Sequence, residues 1–133
     1  MHTRRNIFLL SGLFVIAGAM HFVIPGRYAS IMPAWIPYPF GMVYLSGVAE
    51  ILGGLGLLIP RLRTAAAIGL IALLIAVFPA NIQMLVNAIN SHSSTAYIAL
   101  LWLRLPLQPL LIVWIYRSAI RSSFQSEAPL TSL

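Results

Sequence analysis

Four long apolar runs alternate with short polar or proline-rich breaks along the chain. The first runs from about Asn6 to Ile24 and is stopped by Pro25-Gly26; the second covers about Gly41 to Ile59 and ends at Pro60. The third starts near Thr64 and reaches about Ala88, and the fourth covers about Ala96 to Tyr116 before Arg117. A transmembrane helix needs about 20 mostly apolar residues, which each run supplies. The pattern predicts an all-α membrane protein, a four-transmembrane-helix bundle with spans at about 6–24, 41–59, 64–88 and 96–116. Residues 1–121 read as one transmembrane domain and residues 122–133 as a flexible cytoplasmic tail.

The breaks differ in character. Between Pro25 and Phe40 four prolines accompany Tyr28, Trp35, Tyr38 and Phe40. Repeated proline excludes a continuous helix, and Trp and Tyr favour the headgroup level of a bilayer. This stretch reads as an interfacial loop with one short helix around Tyr28–Met32, either an aromatic anchor, which is favoured, or a lid. Pro79 falls inside the third span, where it removes one backbone hydrogen bond that neighbouring groups must replace; a kink near Ile75–Pro79 is expected. The basic residues at Arg4-Arg5 ahead of an apolar run also suit a signal peptide. The run is long enough to span and has no convincing small-residue cleavage site, so a retained first helix is preferred.

Composition agrees with the pattern. Apolar residues make up 60% of the chain and charged residues 8%, too few to cover the surface of a soluble domain. The net charge of +6 comes from eight basic residues, all arginine. Arg4, Arg5, Arg61, Arg63, Arg117 and Arg121 fall on one side of a four-span chain and Arg27 on the other, which predicts cytoplasmic termini. The positive charge is assigned to topology and anionic lipid rather than nucleic acid. Cysteine is absent, so disulfides, thiolate metal sites and thiol redox steps by this chain alone are excluded. No metal site and no catalytic motif are expected.

Against that background the polar residues inside the spans are conspicuous. Glu50 is the one acid outside the C-terminal tail, and a charge at mid-bilayer costs about 2.5–3.5 kcal/mol on insertion scales. With a rise of about 1.5 Å per residue, Glu50 lies roughly 13 Å from the outer end of its helix, Asn81 about 11 Å, Arg104 about 12 Å and His21 only about 5 Å. Three groups thus share a level, with His21 above them. Glu50 and Arg104, as opposite charges at one depth, are expected to pair, with Gln108 one turn below Arg104 able to bond either. The pair reads equally well as a structural salt bridge or as the polar floor of a ligand site. Ser46, Gly47, Gly53 and Gly54 lie three or four residues from Glu50, so the acid should face protein.

The ordered segments Ala19-Met20-His21-Phe22 with Pro25 and Tyr28, Met32-Pro33-Ala34-Trp35-Ile36-Pro37, Tyr44-Leu45-Ser46-Gly47-Val48-Ala49-Glu50, Val77-Phe78-Pro79-Ala80-Asn81-Ile82 and Leu103-Arg104-Leu105-Pro106-Leu107-Gln108 together resemble the DoxX-like family of bacterial membrane proteins. The similarity covers about Gly12 to Tyr116. It implies a four-helix bundle in the bacterial cytoplasmic membrane and, through some relatives, an association with quinone-linked redox systems. A thiol mechanism in any such relative does not carry over to a chain without cysteine.

Three functions follow as expectations. The first is a subunit or accessory of a membrane redox system that binds a quinone or other lipophilic small molecule. Its ligand-binding residues would be His21, Glu50, Asn81, Arg104 and Gln108, with Trp35 and Phe78 as apolar walls. The second is a small proton-coupled transporter, acting as a homo-oligomer, with Glu50 as the proton site. The third is a structural or assembly partner with no ligand of its own.

Overall fold

A computed structural model describes residues 2–126, and among these it contains helices and no strand. Helix α1 spans His2–Val23, α2 Pro25–Ser30, α3 Pro39–Leu58, α4 Arg63–Asn90 and α5 Thr95–Ile115. The chain then passes through a wide π-helical turn at Tyr116–Arg121 into a last short helix, α6, at Ser122–Ser126. Helices α1, α3 and α4, together with the run from α5 into α6, are long and apolar enough to cross a membrane. Their outer faces are as greasy as their inner ones: Phe8, Ile16, Leu52, Ile75, Leu100 and Leu110 are all exposed. So much contiguous apolar surface is not sustained in water. The molecule is an all-α membrane protein.

Proline and glycine set the ends. Pro25 occupies the first turn of α2 and Pro39 the first turn of α3, where the missing N–H is not needed. The short helix between the first two spans therefore starts three residues earlier than Tyr28–Met32. Ser94 caps α5, its hydroxyl accepting from the Tyr97 N–H at 3.3 Å. At the other end of the bundle, Arg63 Nε donates to the Leu57 carbonyl at 2.9 Å and satisfies part of the end of α3. The tail expected to begin at residue 122 is helical as far as Ser126; positions 127–133 of that expected tail lie outside the described residues.

The helices form a ring. α1 packs along α3, α3 along α4, and α4 along α5, while α1 meets the fourth span mainly through Tyr116–Arg121. The α1–α3 seam is the tightest. A methyl group added to Gly47 would fall 2.8 Å from His21 Cβ and 2.9 Å from the Gly18 carbonyl oxygen. One added to Gly18 would lie 2.7 Å from the Gly47 carbonyl oxygen. Gly54 faces α1 about two turns further along, against Ser11, Phe14 and Val15. Gly53 faces the opposite way, onto Leu70 of α4. Small residues allow such approach where hydrocarbon solvent offers no hydrophobic drive to hold helices together.

The arginine-rich end of the bundle is solidly filled. Ile7, Leu10 and Phe14 of α1, Leu57 of α3, and Leu70 and Leu74 of α4 pack with Ile115 and Ala119 into one buried cluster. Towards the other end the α4–α5 seam is held by a polar fastener. Asn81 Nδ2 donates to Gln108 Oε1 at 2.5 Å, and Gln108 Nε2 donates to the Leu74 carbonyl. Leu74 lies in the turn preceding Pro79, where the helix has lost a backbone donor. The carbonyl that Pro79 leaves without its helical donor is that of Ile75, so the bond from Gln108 falls one residue beside the break.

Two outcomes follow from this packing. Gly47→Ala should push α1 from α3 and cost about 1–3 kcal/mol as an overpacked contact, read as a lowered unfolding midpoint in detergent. Gln108→Leu should cost about 1–2 kcal/mol, and adding Asn81→Leu should cost little more because the two share one interaction; a double-mutant cycle by denaturant titration checks this.

Candidate functional site

Between the packed end and the interfacial segment, the four long helices enclose a cavity of about 250 Å³. Each contributes at least one polar group to its wall: His21 from α1, Glu50 with Ser46 from α3, Asn81 from α4, and Arg104 with Gln108 from α5. The rest of the lining is mostly apolar, including Phe14, Val43, Val77 and Leu111. Tyr28 of α2, with Ile31 and Met32 after it, closes the cavity on the side of the interfacial segment.

The sharpest cluster is His21, Tyr28 and Glu50. The Gly18–Gly47 approach brings α1 and α3 together one turn from His21 and Glu50, and both of these side chains are buried. His21 Nδ1 lies 2.9 Å from the Ala17 carbonyl oxygen on its own helix and 3.8 Å from Glu50 Oε2. A carbonyl can only accept, so Nδ1 carries the proton and donates to Ala17. Nε2 is then left to accept from a ligand, or to donate to one when the ring is charged. The imidazole stacks on Tyr28, with ring centroids 4.0 Å apart and planes inclined by 19°. Burial, and after it the Glu50 carboxylate, push the Tyr28 phenol above its ordinary value of 10, so it keeps its proton. Glu50 Oε2 is buried and has no hydrogen-bond partner among the described residues. An unpaired buried carboxylate oxygen is costly, and retained ones mark sites where something else supplies the bond.

The expected Glu50–Arg104 ion pair is not formed. The nearest charge-bearing group to the carboxylate is His21. Arg104 is exposed and turned towards α4, with Nη1 3.9 Å from Met84 Sδ. The reason is azimuth rather than depth: α3 and α5 stand across the cavity, each packed on α4 rather than on the other. Gln108, expected to bond the guanidinium or the acid, is occupied by Asn81 and Leu74 instead.

Of the seven residues marked by the sequence, five line the cavity. Trp35 and Phe78 do not. Trp35 is 74% exposed in the interfacial segment, and Phe78 lies on an exposed face of α4. Phe14 and Tyr28 do reach the cavity, and of these Tyr28 is the one the sequence placed in an anchor belt. Its signal was the Pro25-Gly26 break four residues after His21, which folds the chain back over that histidine. Ser46, one turn before Glu50, also lines the cavity. Among the described residues no three His, Cys, Asp or Glu side chains gather as a metal-binding group.

No curated protein and no solved structure matches the chain. A sequence profile does match, over residues 10–119, and that range takes in the greater part of every span and every cavity-lining residue. The chain belongs to the family described as a domain of unknown function, DUF8561.

Proposed function

We propose that this protein is a DoxX-like subunit or accessory of a membrane redox system, holding a quinone or similar lipophilic small molecule in the cavity between its four spans. The observation that carries the reading is the cavity itself: mostly apolar walls, several convergent polar groups, and a buried carboxylate oxygen with no hydrogen-bond partner among the described residues. Ligand sites have this make-up. At about 250 Å³ the space is near the small end of ligand pockets, which run from about 300 to 1,000 Å³, and suits a single ring.

The chemistry fits a quinone head. Its two carbonyl oxygens call for donors, which Arg104 and the second amide hydrogen of Asn81 supply. Reduction to the quinol takes up two electrons and two protons. The electrons come from a membrane redox partner, and Glu50 with His21 exchanges the protons. The six arginines at one end of the bundle, against Arg27 at the other, favour cytoplasmic termini in a bacterial inner membrane, with the lipid bilayer as immediate partner. The motif resemblance to DoxX-like proteins supports the same assignment.

One observation favours a proton-coupled transporter as the second reading. Arg104 is not within ion-pair distance of Glu50, so the acid is not neutralised by it. Proton release on substrate addition, lost in Glu50→Gln, would mark that function.

Binding is measured by thermal unfolding of the purified protein with short-tailed benzoquinones and naphthoquinones. A ligand at 100 times its Kd stabilises by about 2.7 kcal/mol, and the shift should shrink in Glu50→Gln and in Arg104→Leu. No shift with any quinone, and no quinone extracted with the protein from membranes, rejects the proposal.

A further inference from the structure

The cavity has a side door. Its floor is the buried cluster of Leu10, Phe14, Leu74, Ile115 and Ala119, and its roof is Tyr28 with Ile31 and Met32. Three of its four seams are lined by packed helix pairs: α1–α3 with the Gly18–Gly47 approach, α3–α4 with Gly53 against Leu70 at the level of the floor, and α4–α5 with the Asn81–Gln108 fastener. The fourth seam, α1 against α5, is not. There α1 reaches the fourth span mainly below the cavity, at Tyr116–Arg121.

The residues beside that seam behave as a doorway should. Leu13 of α1 and Leu107 of α5 line the cavity and are nevertheless 44% and 51% exposed, Leu107 also bordering a second depression with Met84 of α4. Side chains that touch both the interior space and the outer surface flank an aperture. Both lie well within their spans, so the outside they face is hydrocarbon and not water. Arg104, also exposed and also on the cavity wall, stands one turn from Leu107.

We infer that the cavity opens sideways into the bilayer between α1 and α5, past Leu13 and Leu107, and that its ligand is a tailed lipid whose ring lies inside while its apolar tail remains between these helices in the membrane. This rests on the proposed quinone-type reading for the identity of the ring alone; the route is fixed by the packing. A cavity with space for one ring cannot also take a long tail, and a tail in hydrocarbon gives up no burial. Arg104, on the cavity wall and turned towards α4, meets the polar head once the ring is inside.

The chain has no cysteine, which permits a direct test in vesicles. Ser46→Cys places one thiol on the cavity wall. A lipid-soluble maleimide should label it, and a membrane-impermeant sulfonated maleimide should not, from either side. Adding Leu13→Trp and Leu107→Trp should slow labelling about tenfold, equivalent to about 1.4 kcal/mol of barrier. Leu13→Ala with Leu107→Ala should speed it, which guards against the tryptophan variant merely misfolding. Rapid labelling by the impermeant reagent, or rates indifferent to both pairs of substitutions, overturns the inference. A separate arm asks which compounds protect the thiol. A decyl-tailed quinone should protect at lower concentration than the same ring without a tail, and equal protection by the two overturns the tailed ligand. If no quinone protects while the doorway variants still control labelling, the quinone reading fails and the lateral route stands.

Discussion

The contact of α1 with α3 at Gly18 and Gly47 is the constraint on which the rest of the molecule depends. Backbone meets backbone there with no space for a methyl group on either side. One turn along each helix from that point stand His21 and Glu50, so the separation that glycine permits is the separation that places an imidazole beside a carboxylate. Tyr28 then completes the group from above by stacking on the imidazole. In a bilayer, where helix association draws nothing from the hydrophobic effect, such close packing is a main source of both cohesion and position. The site and the seam are one feature.

A second polar device works independently on the far side of the cavity. Gln108 is buried with its amide committed at both ends to α4. That commitment explains why it takes no part in holding Arg104 or Glu50. Fastening α4 to α5 and seaming α1 to α3 leaves the ring of helices rigid on two sides, with the charged group of each half facing a common space. Arg104, with no carboxylate among the described residues in ion-pair range, reaches Met84 of α4 instead.

Much of this was legible in the chain. Apolar runs of spanning length, prolines that stop them and arginines beyond their ends defined the number and approximate limits of the spans. Counting residues from helix ends placed Glu50, Asn81 and Arg104 at a common depth, and all three do line one cavity. Counting cannot supply the direction each side chain faces around its axis. That is why Glu50 and Arg104 were expected to meet and do not, and why Phe78, two residues before a cavity-lining alanine, faces outward. Trp35 and Tyr28 show the same limit in the interfacial segment. Both are aromatics near proline, and only the fold separates the one that stays at the surface from the one that turns in. His21 shows a further gap. Its shallow depth set it apart from Glu50 on a straight-axis estimate, whereas the actual neighbour relation comes from the glycine seam.

The π-helical turn at Tyr116–Arg121 gives the fourth span a property that a regular helix lacks. A wider turn changes the angular phase of everything beyond it relative to everything before. Ahead of the turn, α5 directs Gln108 towards α4; within it, the chain buries Ser118 and Ala119 and packs against α1 as well as α4. A helix of uniform pitch would have to compromise between one heading and two. With the phase break, the span is in effect two facings on one continuous rod, which lets it keep α4 as a neighbour and add α1 at the far level.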